Sequence, residues 1–453
     1  MIAILGGGIS GLTAAYQLKK QEIPFILLEA SNRLGGKVGS FREAGFTCES
    51  GPNTVLINNA EIKSLIEDLG LWDSLIFPDE IAIKSRFVLK NGKIEAIPNS
   101  FKTAIKSKLF SFKTLFSILK EPTVTAKNDG KEESLADFSR RRFGTQIFDD
   151  FITPFVTGIY AGDPEKMSID YTLSILKEAE LEHGSVVKGM MKKMKAKKLI
   201  NDAAGLPKQK VFSFKNGLQD LIDALEKPLT NEVKTNTRVS AIKKINEQYS
   251  ISYLENDLEK QITVDSVISS LPSFSLAEVA HLEAPELSNH LQNIHYTNAV
   301  VLHLGFSKKD VGFNTSAFGI LSRKAEKVPF LGVLFNSRFF PHTSDDPTKE
   351  LITVICGGSR YPELIYKSDE EIKQEIISSL TSVLDLKSEP IFTRITRWNN
   401  GIPQYELGYS KVDRALKAFE ADHPNFHLLG NYYNGISVSD CIKNAIHLTS
   451  NLS

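Results

Sequence analysis

Near its amino terminus the chain sets Gly6, Gly7, Gly8, Ile9, Ser10 and Gly11 directly after the apolar run Ile2-Ala3-Ile4-Leu5. Glycines at this spacing let backbone approach a bulky charged ligand that side chains would hold away. Gly6 permits a tight turn, Gly8 leaves room for a pyrophosphate, and Gly11 allows a helix to pack close to its strand. A helical stretch follows, then the apolar run Phe25–Leu28 and Glu29. The helix start would offer free N–H groups to phosphates, and the Glu29 carboxylate would bind ribose hydroxyls. Strand, helix, second strand and acid stand in order, so the spacing predicts a dinucleotide site rather than a plain glycine-rich turn.

After Glu29 the chain reads Ala30-Ser31-Asn32-Arg33-Leu34-Gly35-Gly36-Lys37. A nicotinamide dinucleotide needs nothing special here. A permanently held FAD benefits from a further cation and flexible backbone beside its pyrophosphate, which Arg33 and Gly35-Gly36 could supply. FAD is therefore favoured over NAD. At the far end, His427-Leu428-Leu429-Gly430-Asn431 reads as a strand running into a glycine, and Gly435 to Ile442 turns into a terminal helix. That second helix start also offers free N–H groups. The two ends of the chain are expected to meet around one cofactor.

The elements that must position these groups follow from periodicity. An amphipathic helix runs through Ile62, Leu65, Ile66 and Leu69. Arg86–Leu89 and Ile94–Pro98 flank Asn91-Gly92, a dipeptide suited to a primed hairpin turn. Residues 99–200 are helical and locally basic. A helix is expected over Leu218–Leu225, strands over Val233–Ile245, Tyr249–Leu254 and Ile262–Ser269, a sheet-rich tract over Ala299–Gly358, and a helix over Glu370–Leu384. No repeat or low-complexity linker divides the chain, so the fold should be woven from separated segments.

Bulk properties exclude several classes. The 54 basic and 54 acidic residues among 453 create no global field for nucleic acid. Cys48, Cys356 and Cys441 lie far apart without ligand spacing, which predicts a reducing compartment and no zinc site. The first strand begins at Ile2, leaving no room for a signal peptide, and no apolar run nears the ~20 residues that cross a bilayer. A cytoplasmic protein is expected.

Glu29 to Gly36 resembles the extended fingerprint of the FAD-dependent amine oxidase superfamily. Further blocks resemble its oxygen-dependent protoporphyrinogen oxidases: Glu49-Ser50-Gly51-Pro52-Asn53, Pro154 through Gly158-Ile159-Tyr160-Ala161-Gly162-Asp163-Pro164, Arg397-Trp398, Ile402-Pro403-Gln404-Tyr405-Glu406-Leu407-Gly408, and Gly435 to Ile442. They span nearly the whole chain in order. The resemblance implies an α/β fold. Its parts would be a discontinuous Rossmann-type FAD-binding domain (1–80, 201–275, 408–453), a mixed-sheet α+β substrate domain (81–98, 276–407) and an inserted helical membrane-binding domain (99–200). It implies FAD held by Gly6, Gly7, Gly8, Ile9, Ser10, Gly11, Glu29, Arg33, Gly36, Lys37, Gly51, Pro52, Asn53, Thr54, Val239, Trp398, Ile436, Ser437 and Val438. Gly430 is followed by Asn431-Tyr432-Tyr433 rather than cysteine, so the flavin would be bound non-covalently.

The activity the resemblance implies is the six-electron oxidation of protoporphyrinogen IX to protoporphyrin IX in heme biosynthesis, with oxygen as acceptor and hydrogen peroxide released. A flavin that takes two electrons at a time would cycle three times. Arg86 aligns with an arginine that pairs with a substrate propionate, and Arg forks two hydrogen bonds onto a carboxylate. Phe318, Gly319 and Leu321 align with a strand that sandwiches the pyrrole rings. No catalytic acid or base is assigned, and His295, His303 and His342 read as structural. The alternatives are a coproporphyrinogen III oxidase, an amine oxidase or carotenoid desaturase, and a non-catalytic flavoprotein scaffold; Arg86 and the lysine-rich helices favour the proto form.

Lys102, Lys106, Lys108 and Lys113 alternate with apolar residues, and Lys188 to Lys198 is strongly cationic. Such helices lie on anionic bilayers. The protein is thus expected at the cytoplasmic face of the inner membrane, with a homodimer and a contact to the next heme-pathway enzyme left open.

Overall fold

The computed structural model describes residues 1–453 apart from 100, 108, 281–283 and 453. Every residue of strand Ile2–Leu5 is buried, as a strand covered on both faces requires. It lies third in a parallel five-stranded sheet ordered Val233–Lys234, Phe25–Leu28, Ile2–Leu5, Ser266–Ser269 and Phe426–Leu428. Strands from both ends of the chain therefore share one sheet. Helix Ile9–Lys20 packs on it and against the terminal helix Val438–Ser450. Its Leu12 and Leu18 are fully buried, each stabilising by about 1.5–3 kcal/mol.

Two long strands expected from sequence are each divided between sheets. Val233–Ile245 breaks at Asn236, whose φ of 51° turns the chain. Val233–Lys234 stays in the parallel sheet, while Thr237–Ile245 opens a three-stranded antiparallel sheet with Gln248–Glu255 and Leu258–Val264. Ile262–Ser269 breaks at Asp265, between Leu258–Val264 and Ser266–Ser269. A β-period pattern does not reveal which sheet its residues join.

The second large sheet has seven strands, ordered Phe392–Pro403, Tyr296–Ser307, Lys349–Gly357, Gly332–Leu334, Gly319–Ser322, Arg86–Lys90 and Lys93–Ala96. Gly319–Ser322 pairs in parallel with Arg86–Lys90, so an early hairpin completes a sheet built mostly from late residues. Its turn holds Asn91 at φ 53° and Gly92 at φ 70°, the two positive values a type I′ turn needs.

Residues 101–203 are predominantly helical, including Leu135–Phe143, Thr153–Tyr160, Ser174–His183 and Val186–Ala203. Glu121, which ends the first lysine-rich run in sequence, is fully buried. Its carboxylate accepts from Val186 N–H at 2.8 Å, Val187 N–H at 3.3 Å and Ser185 Oγ at 2.6 Å. It thus satisfies open donors at a helix start, where negative charge is favoured. Arg142 is its ion-pair partner.

Several described elements go beyond those expected from periodicity. Helix Tyr409–Asp422 buries Tyr409, Val412 and Leu416 along one face. The hairpin of Ser40–Glu43 with Phe46–Glu49 and the helices Ser273–Ala280 and Pro285–Gln292 are others.

Candidate cofactor and substrate site

Gly6 turns at φ 94°, carrying the chain from strand to helix. A methyl group on Gly11 would overlap the Gly6 carbonyl oxygen and lie 2.5 Å from Ser270 Oγ. On Gly7 it would lie 2.5 Å from Leu34 Cδ2. On Gly8 it would meet nothing within 4 Å. Gly8 is also the N-cap of helix Ile9–Lys20 and makes no side-chain cap bond. The backbone here is open on the side where a phosphate would approach, and Ile9 and Ser10 begin the helix behind it.

The Glu29 carboxylate accepts from Gly7 N–H at 2.7 Å, and from Ser31 N–H at 2.8 Å and Ser31 Oγ at 2.7 Å. Gly35 N–H donates to Gly7 O at 2.8 Å, which folds the second glycine pair onto the first. A methyl on Gly36, at φ 59°, would sit 3.1 Å from Gly8 Cα. Arg33 Nη2 donates to Gly36 O at 2.6 Å, so this exposed cation is held beside the loop. Asn236 and Thr237 bond backbone to backbone with Ser31 and Glu29, which brings Val239 alongside the Glu29 segment.

On the other side, Gly51 packs between the Lys37 carbonyl, 2.7 Å from an added methyl, and Trp398 Nε1 at 3.8 Å. Trp398 Nε1 donates to Ser50 O at 2.6 Å. Asn53 Oδ1 accepts from Asn336 Nδ2 at 2.9 Å, and Pro52 and Thr54 flank it, half-buried. Lys37 has its ammonium 5.9 Å from the Tyr296 ring. Burial pushes that ammonium down to about 8, and no carboxylate pairs with it among the described residues. Ile436, Ser437 and Val438 lead into the terminal helix, where Ser437 Oγ accepts from Asp440 N–H at 3.0 Å. Ser439 Oγ donates to Leu56 O at 2.9 Å, and Cys441 is buried in the first turn. An uncapped helix start, open space at Gly8 and an unanswered ammonium fit an anionic dinucleotide.

The chain matches the family of flavin containing amine oxidoreductases over residues 9–448. It belongs to that family. It is 33% identical to protoporphyrinogen oxidase 2 of Arabidopsis thaliana over 97% of this chain and 91% of that protein. It is 28% identical to coproporphyrinogen III oxidase of Bacillus subtilis (strain 168), over 97% and 95%. In fold it superposes on a crystal structure from Exiguobacterium sp. 255-15 with a TM-score of 0.82, at 23% identity and covering 100% of this chain and 98% of that one. Putrescine oxidase superposes at 0.70, with 16% identity and coverage of 100% and 98%. This flavin containing amine oxidoreductase is an FAD-dependent oxidoreductase, and the α/β class expected from its sequence is the one these structures share.

In this amine oxidoreductase the residues expected to face substrate lie together. Arg86 pairs across the sheet with Gly319, and its guanidinium sits 5.4 Å from the Phe318 ring. The exposed Arg86 lines a cavity of about 390 Å³ with Lys84, Glu95 and Pro98. Leu321 Cδ2 would be 2.6 Å from a methyl on Gly158, so helix Thr153–Tyr160 seats directly on that strand. Two of the sequence blocks that carry the resemblance also meet: Gln404 Nε2 donates to Tyr160 O at 2.8 Å, and a methyl on Gly162 would overlap Gln404 Oε1.

Neither spacing nor motif points to Ser270, Asn336 and Tyr296, which touch the glycines, Asn53 and Lys37. A single serine or asparagine carries no periodic signal.

Glu49 is 6% exposed. Its Oε1 accepts from Leu218 N–H at 3.0 Å and its Oε2 from Ser40 Oγ at 2.6 Å. Its carbonyl accepts from His303 Nε2 at 2.9 Å, which leaves His303 Nδ1 to accept from Thr353 Oγ1 at 2.9 Å. Burial pushes His303 down to about 4 and the Glu49 carboxyl from 4.5 up to about 8. The folded state therefore binds a proton that the unfolded chain releases above its ordinary value, so stability falls as pH rises from 4.5 toward about 8. Glu49→Gln should flatten that fall. Melting curves at the two ends of this window test it, and a wild-type slope in the variant would refute it.

Proposed function

We propose that this oxidoreductase removes hydrogen from a porphyrinogen, protoporphyrinogen IX by preference, to form the aromatic porphyrin. Oxygen is the acceptor and hydrogen peroxide the by-product. The observation carrying this reading is the strand Gly319–Ser322 with Arg86 at its first residue. It combines an arginine fork for a carboxylate with Phe318 and Leu321 for an apolar ring. The proto- and coproporphyrinogen oxidases among the relatives support the substrate class. The preference for the dicarboxylate follows the resemblance, in which an arginine at the position of Arg86 and lysine-rich helices mark the proto form.

FAD, when bound, supplies the ring that accepts hydride. Gly6 to Gly11, Glu29, Arg33, Gly36 and Val239 would hold its nucleotide half. Lys37, Gly51 to Thr54, Trp398 and Ile436 to Val438 would hold the other. Arg86 would anchor a propionate, Phe318 and Leu321 would flank the macrocycle, and the Gly319 carbonyl would orient its N–H groups. No side chain is assigned as acid or base. In this reading residues 1–80, 201–275 and 408–453 serve the cofactor, 81–98 and 276–407 the substrate, and 99–200 the membrane.

The flavin-loaded protein mixed anaerobically with protoporphyrinogen IX should turn red-fluorescent when air is admitted, with peroxide accumulating. No fluorescence above the spontaneous rate removes the proposal. A faster rate on coproporphyrinogen III moves the preference to the alternative.

The membrane assignment rests on exposed apolar side chains among lysines. Ile105 is 50% exposed, Phe116 55% and Leu119 61%; Met191, at 68%, lies beside Lys192 and Lys195. Lys108 and the side chains of Lys102 and Lys106 lie outside the described residues. Among the described residues no helix is long and apolar enough to cross a membrane. The protein should co-sediment with vesicles rich in anionic lipid at low salt and be released at high salt, each near-surface Lys contributing about 1 kcal/mol. Failure to sediment at low salt withdraws the assignment.

A further inference from the structure

The strand Gly319–Ser322 has a cationic side chain at each end, and only Arg86 has a role above. At the far end Arg360 Nη1 donates to the Ser322 carbonyl at 3.0 Å and to its hydroxyl at 2.8 Å. Arg360 Nη2 donates to Thr157 Oγ1 at 3.1 Å. All three acceptors are neutral, and no carboxylate pairs with Arg360 among the described residues. It lines a cavity of about 820 Å³ with Thr157, Gly162, Lys90 and Arg323.

Two of the four acids lining that cavity are held in ion pairs. Asp150 takes Lys90 at 2.6 Å and also Arg323. Glu165 pairs with Arg140, and Asp163 Oδ1 accepts from Glu165 N–H at 3.1 Å. Asp149 also lines the cavity, its carboxyl raised by burial, with Arg140 and Arg323 acting against the rise. Neither Asp149 nor Asp163 pairs with Arg360, whose guanidinium is left without a carboxylate partner inside a concavity, an arrangement that favours an anion.

The position of the cavity narrows the choice of anion. Thr157, which touches Arg360, immediately precedes Gly158, which touches Leu321. Gly319, paired with Arg86, and Ser322, bonded to Arg360, are three residues apart on one strand, or ~10 Å at ~3.3 Å per residue. Two flexible propionate tails on neighbouring pyrroles can bridge such a span, and a guanidinium can fork onto a carboxylate.

We propose that the Arg360 cavity is a second carboxylate subsite, taking another acidic tail of the tetrapyrrole whose first tail meets Arg86. This rests on the porphyrinogen reading above. It makes Arg360 a binding and specificity residue, not a catalytic one.

The test is equilibrium binding of protoporphyrin IX and of its dimethyl ester to the flavin-loaded protein, read by porphyrin fluorescence. Arg360→Met should weaken the diacid by roughly 10- to 100-fold, the scale of one charge-assisted pair, and leave the ester unchanged. Arg360→Lys should fall between. The ratio of acid to ester affinity stays interpretable even if the variant is less stable. Equal loss of both ligands, or of neither, overturns the proposal. If Arg86→Ala weakens the diacid and Arg360→Met does not, the second subsite alone falls. If wild type binds neither porphyrin, the substrate reading falls and takes this subsite with it. Free propionate held at Arg360 without competing against protoporphyrin IX would mark a small-anion site and overturn the tetrapyrrole assignment.

Discussion

Gly8→Ala should yield a folded protein that is nearly colourless. A methyl at this position meets nothing within 4 Å, so the polypeptide loses no internal packing. The same methyl would project into the space where the backbone must meet a pyrophosphate. Steric misfit of this kind costs about 1–3 kcal/mol, which weakens flavin binding by roughly 10- to 100-fold. Gly11→Ala should fail differently. Its methyl would overlap the Gly6 carbonyl oxygen and crowd Ser270 Oγ, and a backbone oxygen at a tight turn cannot move aside. Both flavin content and melting temperature should drop. The measurement is flavin absorbance per chain together with thermal unfolding of the apoprotein. A Gly8→Ala protein as yellow as wild type would show that the cofactor does not lie against this turn.

The second large effect lies far from the flavin. Arg142 and its partners Glu121 and Glu180 have fully buried side chains. Arg142 Nη1 also donates to Val124 O at 2.9 Å, and Nη2 to Gly184 O at 3.2 Å. Arg142→Met would strand the buried Glu121 carboxylate, the anionic cap of helix Val186–Ala203, while Glu180 keeps Arg141 and Lys177. Breaking a buried ion cluster by removing one partner costs about 3–5 kcal/mol. Arg140 is the internal control. Its pair with Glu165 is 35% and 45% exposed, so Arg140→Met should cost no more than about 1 kcal/mol. Denaturant unfolding of the flavin-loaded proteins compares the two, and equal midpoints would contradict the argument.

These two sites differ in how far sequence alone reveals them. The glycine turn is a local object: its ligand approaches backbone, so spacing along the chain is the signal, and chain order is enough to mark Gly6 to Gly11 with Glu29. The Glu121–Arg142–Glu180 cluster is non-local. In sequence Glu121 merely ends a basic run, and nothing beside it announces a helix start 65 residues later. The divided strands at Asn236 and Asp265 have the same origin, since alternation reports that a residue has a buried face but not which sheet covers it. Helix Tyr409–Asp422 is legible in principle, because Tyr409, Val412 and Leu416 keep helical spacing.

Sequence by itself determined the α/β class, the dinucleotide turn, the I′ hairpin at Asn91-Gly92 and the residue types available for an anionic, ring-shaped ligand. These depend on short-range sterics and on periodicities that neighbouring residues carry. Tertiary structure alone decided that Arg86 stands beside Gly319, that Gln404 reaches Tyr160, that Lys37 faces Tyr296 with no counter-charge among the described residues, and that Arg360 closes the opposite end of the same strand. Most of those juxtapositions come from packing segments far apart in the chain, where burial and pairing, not chain order, choose the neighbours.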